Sequence, residues 1–181
     1  MQRLDQYRVP RSWDPGHPFL CCIWFLFGSP LLSNRFLPGS FWRIYLLRIF
    51  GSKIRPKCRI KPGLRVKFPW RLRIGYACWL GEDVWIDNLA DVELGDRVCI
   101  SQGAYLCTGN HDFRSLGFDL LLGPIFIESD VWIAAFSILS PGTHVCCSAV
   151  VALGSVVSGR IPPAAIVRGN PAVLVGQRFS R

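Results

Sequence analysis

Acidic residues are scarce in this chain: 12 Asp and Glu stand against 21 Lys and Arg, a formal net charge of +9 over 181 residues. The scarcity is local. From Arg43 to Arg73 there are eleven basic residues and no acid, whereas residues 74–130 are close to balanced. Such a stretch suits a phosphorylated substrate, an anionic membrane surface or a polymer, or it is a solvated face. No helix or aromatic-platform motif accompanies it, so nucleic acid is not the expected partner. Charged residues make up only 18% and apolar ones 50%, which excludes wholesale disorder.

Long apolar runs are also missing. The longest, PFLCCIWFLFGSPLL (18–32), is interrupted by Gly28-Ser29-Pro30 and falls short of the ~20 residues that span a bilayer. Residues 1–18 are polar and contain three prolines, unlike a cleavable signal peptide. No C-x-x-C pair occurs among the eight cysteines, and Cys21-Cys22 and Cys146-Cys147 are adjacent. They read as reduced thiols of a cytoplasmic protein. In FWRIYLLRIFG (41–51), Trp42, Tyr45, Leu46 and Ile49 fall on one helical stripe and Arg43 on another. The expectation for residues 1–52 is an apolar helical attachment capping the domain that follows. A peripheral contact at the inner face of the plasma membrane is the functional alternative.

What is present is a period of six. Ile54, Ile60 and Val66 are followed, after two extra residues, by Ile74, Leu80 and Ile86, then by Leu94, Ile100 and Leu106. After an interruption come Ile127, Ile133 and Leu139, then Val145, Val151 and Val157. A second column four residues later is mostly small or β-branched. Six is not a multiple of 3.6, which excludes an amphipathic helix, and hairpin sheets would need turn clusters every 8–12 residues. A short strand and a turn every six residues pair only with the equivalent strand one coil away. The expected fold is an all-β solenoid of about five three-sided coils over residues 53–162, with a C-terminal tail at 163–181.

The period fails at LCTGNHD (106–112). Leu106 to Ile127 is twenty-one residues where six would continue the coil, so about 107–124 must leave the prism as an extruded loop. A solenoid has smooth faces, and a loop beside a neighbouring subunit's face creates a cleft. The loop carries His111, and imidazole, with an ordinary pKa of about 6.5, suits general base work near neutral pH.

The repeat, LCTGNHD, VWIAAFSILSPGTHV (131–145), VVALGSVVSGRIPP (150–163) and VRGNPA (167–172) resemble the hexapeptide-repeat acyltransferases. Within them the chain is similar to the colanic-acid-type O-acetyltransferases of polysaccharide biosynthesis and, more distantly, to galactoside and maltose acetyltransferases. The resemblance covers about residues 41–175. It implies a left-handed parallel β-helix, an exception to the usual right-handed crossover, working as a homotrimer with active sites at subunit interfaces. It implies acetyl transfer from acetyl-CoA to a sugar hydroxyl of a glycan or its precursor. His111 falls on the family's general base. Asn110 and Asp112 are candidates for orienting the ring or binding the acceptor, and equally turn formers. Asp87 and Asn88 stand at a polar corner near the family's acceptor site, with Asp83 a further candidate. Cys107, four residues from His111, is not expected to be a nucleophile, since the family transfers directly.

For the donor, the resemblance places Trp132, Ala134 and Ala135 along the pantetheine arm, Leu153, Gly154 and Ser158 further up, and Arg168, Gly169, Asn170 and Pro171 near the nucleotide. Relatives often carry Lys and Arg where this chain has Gly159 and Val173, leaving Arg160, Arg168 and Arg178 as candidate phosphate partners. His17, His111 and His144 do not form the spaced triad with which other members bind zinc, so no metal is expected. The reading from a different class is a non-catalytic solenoid that binds an anionic membrane surface or polymer.

Overall fold

The computed structural model describes residues 3–10 and 13–179, so the outer ends of the N-terminal attachment and the C-terminal tail lie outside the described residues. All fifteen aliphatic residues of the period are buried, from Ile54 at 7% exposed to Leu106 and Val151 at 0%. They line the axis of a three-sided parallel β-helix. Its first face stacks Lys53–Ile54, Leu72–Ile74, Val92–Leu94, Ile125–Ile127, His144–Val145 and Arg160–Ile161. The second face stacks Arg59–Ile60, Trp79–Leu80, Cys99–Ile100, Trp132–Ile133, Val150–Val151 and Ala165–Gly169, and Ala172–Gln177 folds back antiparallel on the last. The third face stacks Arg65–Val66, Trp85–Asp87, Tyr105–Cys107, Ile138–Leu139 and Val156–Val157. Five turns are complete, and Arg160–Ile161 and Ala165–Gly169 add two sides of a sixth, one more than the period of six reveals.

Sharp corners close the prism. On the edge between the first and second faces, Lys57, Ala77, Arg97, Asp130 and Ser148 all have φ between 56° and 65°. On the edge between the second and third, Gly63, Asp83, Gly103, Phe136 and Gly154 do likewise, from 57° to 79°. Each of the ten lies three residues after an inward aliphatic. The left-handed conformation costs an L residue roughly 1–2 kcal/mol, yet seven of these ten corners lack glycine. None of the ten is β-branched, the class least able to adopt it. The parallel ladders on either side offset the strain.

The edge between the third and first faces is different, because the two-residue insertions fall there. Its interior is polar. Asn88, fully buried, accepts the Phe68 N–H at 3.0 Å and donates to the Phe68 carbonyl at 2.7 Å. One coil on, the Thr108 hydroxyl donates to the Asp87 carbonyl at 3.0 Å and accepts the Ala90 N–H at 2.9 Å. The hairpin Gly109–His111/Leu120–Leu122 leaves the prism at this edge.

Helices close the N-terminal end. Helix α1 (Pro18–Ile23) runs through a π turn (Trp24–Gly28) into α2 (Ser29–Leu32), so Gly28-Ser29-Pro30 does not break the helical run. A Cβ at Gly28 would lie 2.3 Å from the Trp24 ring, so only glycine lets that ring pack there. Helix α3 covers Phe41–Ile49. The open edge of the first coil is a row of unpaired backbone groups, and the cap supplies one side chain per face. Arg48 donates to the Ile54 carbonyl at 2.6 Å, the Ser40 hydroxyl donates to that of Ile60 at 3.0 Å, and the Trp24 indole N–H to that of Val66 at 3.2 Å. Arg43, on the opposite stripe from the aromatics, points inward and is fully buried. Its guanidinium donates to the carbonyls of Asn34, Leu37 and Gly39, bracing the loop before α3.

Candidate active site

His111 ends the first strand of the extruded hairpin and faces Leu120 across it. Its Nδ1 lies 2.7 Å from the Phe118 carbonyl oxygen, which accepts only, so Nδ1 carries the proton and donates. In the neutral ring, Nε2 is then the nitrogen that holds the lone pair. Phe118 also stacks on the imidazole, ring centres 4.3 Å apart and planes 5° from parallel, and Tyr7 meets the ring edge-on at 5.4 Å. The N-terminal segment reaches this hairpin through Arg3, whose N–H donates to the Leu116 carbonyl at 3.0 Å. The ring is thus fixed in tautomer and plane, as general base work requires. Phe118 and Tyr7 carry no sequence signal, since nothing in the pattern says which loop residues fold back on the histidine.

Around it, Asn110 accepts the His111 N–H at 2.8 Å and Asp112 accepts the Arg114 N–H at 2.9 Å, so both side chains set the loop backbone. Asp87 stands at the root of the hairpin, bound to Thr108 through its carbonyl. Its carboxylate accepts the Tyr105 hydroxyl at 3.1 Å and pairs with Lys67 at 3.0 Å. Burial, then the neighbouring Cys107 and Asp87, push the Tyr105 phenol up, so it stays a donor. Asn88 departs from the acceptor-binding expectation: both ends of its amide are engaged with the Phe68 backbone inside the edge, a structural duty. Asp83 departs too, in position. It lies on the edge between the second and third faces, paired with Arg35 at 2.8 Å, a full face away from His111.

The expected donor residues converge on that other edge. Trp132, Ala134, Ala135 and Leu153 line one cleft with Ser101, Gln102, Val150 and Ala152, with a volume of about 460 Å³. The Trp132 indole N–H donates to the Ser101 hydroxyl at 2.9 Å, tying the ring to the preceding coil. Ala134, Ala152 and Arg168 follow the inward residues Ile133, Val151 and Val167, which are in register, so Arg168 continues the column at the C-terminal end of the cleft. Arg168 has no carboxylate partner among the described residues. Arg178 differs: it donates to the carbonyls of Asp130 and Ser148 at 2.6 and 3.2 Å. Arg160 sits on the first face, 3.1 Å from His144 Nδ1. Gly154 forms a corner with nothing within 4 Å of a would-be Cβ, and the Gly169 N–H donates to Ser155 at 3.2 Å. Asn170 and Pro171 make the turn before Ala172–Gln177. Ser158 lies at the opposite end of the third-face strand from the cleft.

Among the described residues one group brings metal-ligand atoms together, Glu128, His144 and Cys146, within 4.8 Å. Glu128 already accepts the Cys147 N–H at 2.9 Å and meets His144 Nε2 at 2.7 Å, and the Arg160 cation stands on the other ring nitrogen. Such surroundings favour an ion-pair relay on the first face over a cation.

No protein-family model matches the chain. It is 33% identical over 178 residues, 98% of each chain, to the provisionally named colanic acid biosynthesis acetyltransferase WcaF of Escherichia coli strain K12. The maltose O-acetyltransferase of Clostridium difficile 630 superposes with a TM-score of 0.80 at 20% identity, covering 91% of this chain and 90% of that one. A hexapeptide-repeat acetyltransferase of Vibrio cholerae O1 biovar eltor, crystallised with acetyl-coenzyme A, does so with a TM-score of 0.80 at 24% identity, covering 92% and 93%. The chain belongs to the hexapeptide-repeat acetyltransferases of the colanic-acid type and has their left-handed parallel β-helix.

Proposed function

We propose that the protein moves an acetyl group from acetyl-CoA to a sugar hydroxyl of a polysaccharide unit or its nucleotide- or lipid-linked precursor, with His111 as general base. The observation that carries this reading is the Nδ1 hydrogen bond to Phe118, which leaves Nε2 free to accept a proton. In the reaction, Nε2 accepts the acceptor's hydroxyl proton as that oxygen bonds to the thioester carbonyl carbon. The carbon–sulfur bond then breaks, and the imidazolium returns the proton to the departing sulfur. Such a base contributes typically ~10²–10⁴-fold, and positioning supplies much of the rest.

Donor binding is assigned to the cleft of Trp132, Ala134, Ala135 and Leu153. Its alanines let an extended arm lie against backbone, and Arg168, exposed at the end of the same column, is assigned to the nucleotide phosphates. Within one chain the cleft and His111 lie on different edges of the prism. A homotrimer that sets the hairpin of one copy against the cleft of the next joins them, and Asp87 and Asp112 then face the acceptor. The test is incubation with labelled acetyl-CoA and a panel of sugar nucleotides, lipid-linked sugars and oligosaccharides, read by mass. A gain of one acetyl group on a glycan is the expected result. Label reaching only amines or water would overturn the acceptor class.

A further inference from the structure

The helical cap is apolar on its outside. Phe41, Tyr45 and Ile49, one turn apart on α3, are 82, 60 and 59% exposed, and Phe36 in the preceding loop is 94% exposed. Leu26 and Phe27 of the π turn are 63 and 69% exposed, and no charged residue occurs between Pro18 and Asn34. A surface helix ordinarily turns its apolar stripe inward and its charge outward. Here Arg43 points in and the aromatics point out. The inner side is filled regardless, by Trp24, Leu32 and Leu47 at 0% exposed. Apolar surface of this kind marks a contact with something else.

A basic ring surrounds it. Lys53, Arg59 and Arg65 are the outward residues of the first coil, one on each face, and Lys57 and Lys61 stand between them. All five are exposed, and among the described residues none pairs with a carboxylate. Most acids of later coils are taken by other cations, as in Arg55–Asp96 at 3.0 Å and Arg73–Glu93 at 3.2 Å. A second copy docked cap to cap would press two such rings together, which like-charge repulsion opposes. An apolar end ringed by cations matches an anionic lipid surface instead.

We propose that the helical cap docks the protein on anionic phospholipid bilayers, with Phe36, Phe41 and Tyr45 in the interface and the first-coil cations at the level of the phosphates. Among the described residues no helix is long and apolar enough to cross a membrane, so the contact is interfacial. The hairpin of His111 leaves the third coil, two ladder spacings or roughly 10 Å along the axis from the first. At that height it reaches the sugar of a lipid-linked acceptor. This last step rests on the acyl-transfer reading; the docking does not.

The experiment is co-sedimentation of the full chain with vesicles of phosphatidylcholine and phosphatidylglycerol in equal parts, and with phosphatidylcholine alone. Binding to the anionic vesicles that weakens with added salt is expected. Replacing Phe36 and Phe41 together by Ser should weaken it at least about tenfold, with acetyl transfer to a soluble glycan and the melting temperature unchanged. Replacing Lys53, Arg59 and Arg65 by Gln should weaken it on the order of a hundredfold. Equal binding to both vesicle types, no binding, or retention by the double Ser variant would overturn the proposal. So would a lipid-free change of oligomeric state in that variant, which would make the cap an interface between copies.

Discussion

His111 and Phe118 are joined twice, through backbone and side chain: Nδ1 lies 2.7 Å from the Phe118 carbonyl oxygen, and the two rings stack at 4.3 Å. One residue therefore sets both tautomer and plane. Replacing His111 by Ala should lower kcat by about 10²–10⁴-fold while the donor affinity stays put. Phe118 adopts a positive φ of 54°, so Phe118→Gly keeps the backbone and its carbonyl while removing the stacked ring. That variant should lose part of kcat with KM for both substrates unchanged. Steady-state kinetics on the two variants checks this; a His111→Ala enzyme of undiminished kcat would remove the imidazole from the chemistry.

Asn88 predicts a stability effect where an acceptor contact would predict a KM effect. Asn88→Ala strands the Phe68 N–H in the core, while the Phe68 carbonyl keeps the Arg71 N–H, and a buried unpaired group costs about 1–3 kcal/mol. A drop of several degrees in melting temperature is expected, with KM for the acceptor unaltered in the folded fraction. A raised KM at wild-type stability would return Asn88 to the acceptor site.

Arg168 tests the donor groove. It is exposed and among the described residues pairs with no carboxylate, so Arg168→Ala should leave the fold untouched and weaken CoA binding about tenfold or more. The readout is thermal stabilisation, since a ligand that binds the folded chain raises its melting temperature by mass action. An unchanged shift on adding CoA would move the phosphate contact elsewhere, with Arg160 and Arg178 the remaining candidates.

Acid should loosen the coil-to-coil ion pairs. The Arg97 guanidinium, bonded to Asp130 at 2.6 Å, holds that carboxyl below the usual range. The Tyr76 N–H and then Arg55 and Arg97 do the same for Asp96, and the Cys147 N–H and then His144 for Glu128. A folded carboxyl that binds its proton more weakly than the unfolded one adds stability above the unfolded pKa of about 4 and loses it as pH falls through the depressed folded value. Melting temperature should therefore fall steadily below about pH 5. Asp130→Asn, which tolerates the left-handed corner, should lower it by about a degree at neutral pH and flatten the acid limb. Parallel acid limbs for the two proteins would exclude the Arg97–Asp130 pair as a contributor.

The period of six by itself determined the prism. A residue that recurs once per side must always face the axis, so Ile54 through Val157 were legible as core, and the gap between Leu106 and Ile127 as an excursion carrying His111. The cleft of Trp132, Ala134 and Ala135 was legible only through likeness to relatives. Other features were decided in three dimensions. Left-handed corners at Lys57, Asp83 and Phe136 show no local signal, because the ladders above and below impose a conformation those residues would not choose alone. Arg43 reads as the solvent side of α3, yet it is drawn inward by three loop carbonyls that come together only once the chain has folded. Asn88 looked like a polar corner open to a ligand and became an internal clasp, since the two-residue insertion turns it into the prism. The separation of His111 from the cleft by a whole face follows from which edge each occupies, and a linear repeat does not record edges.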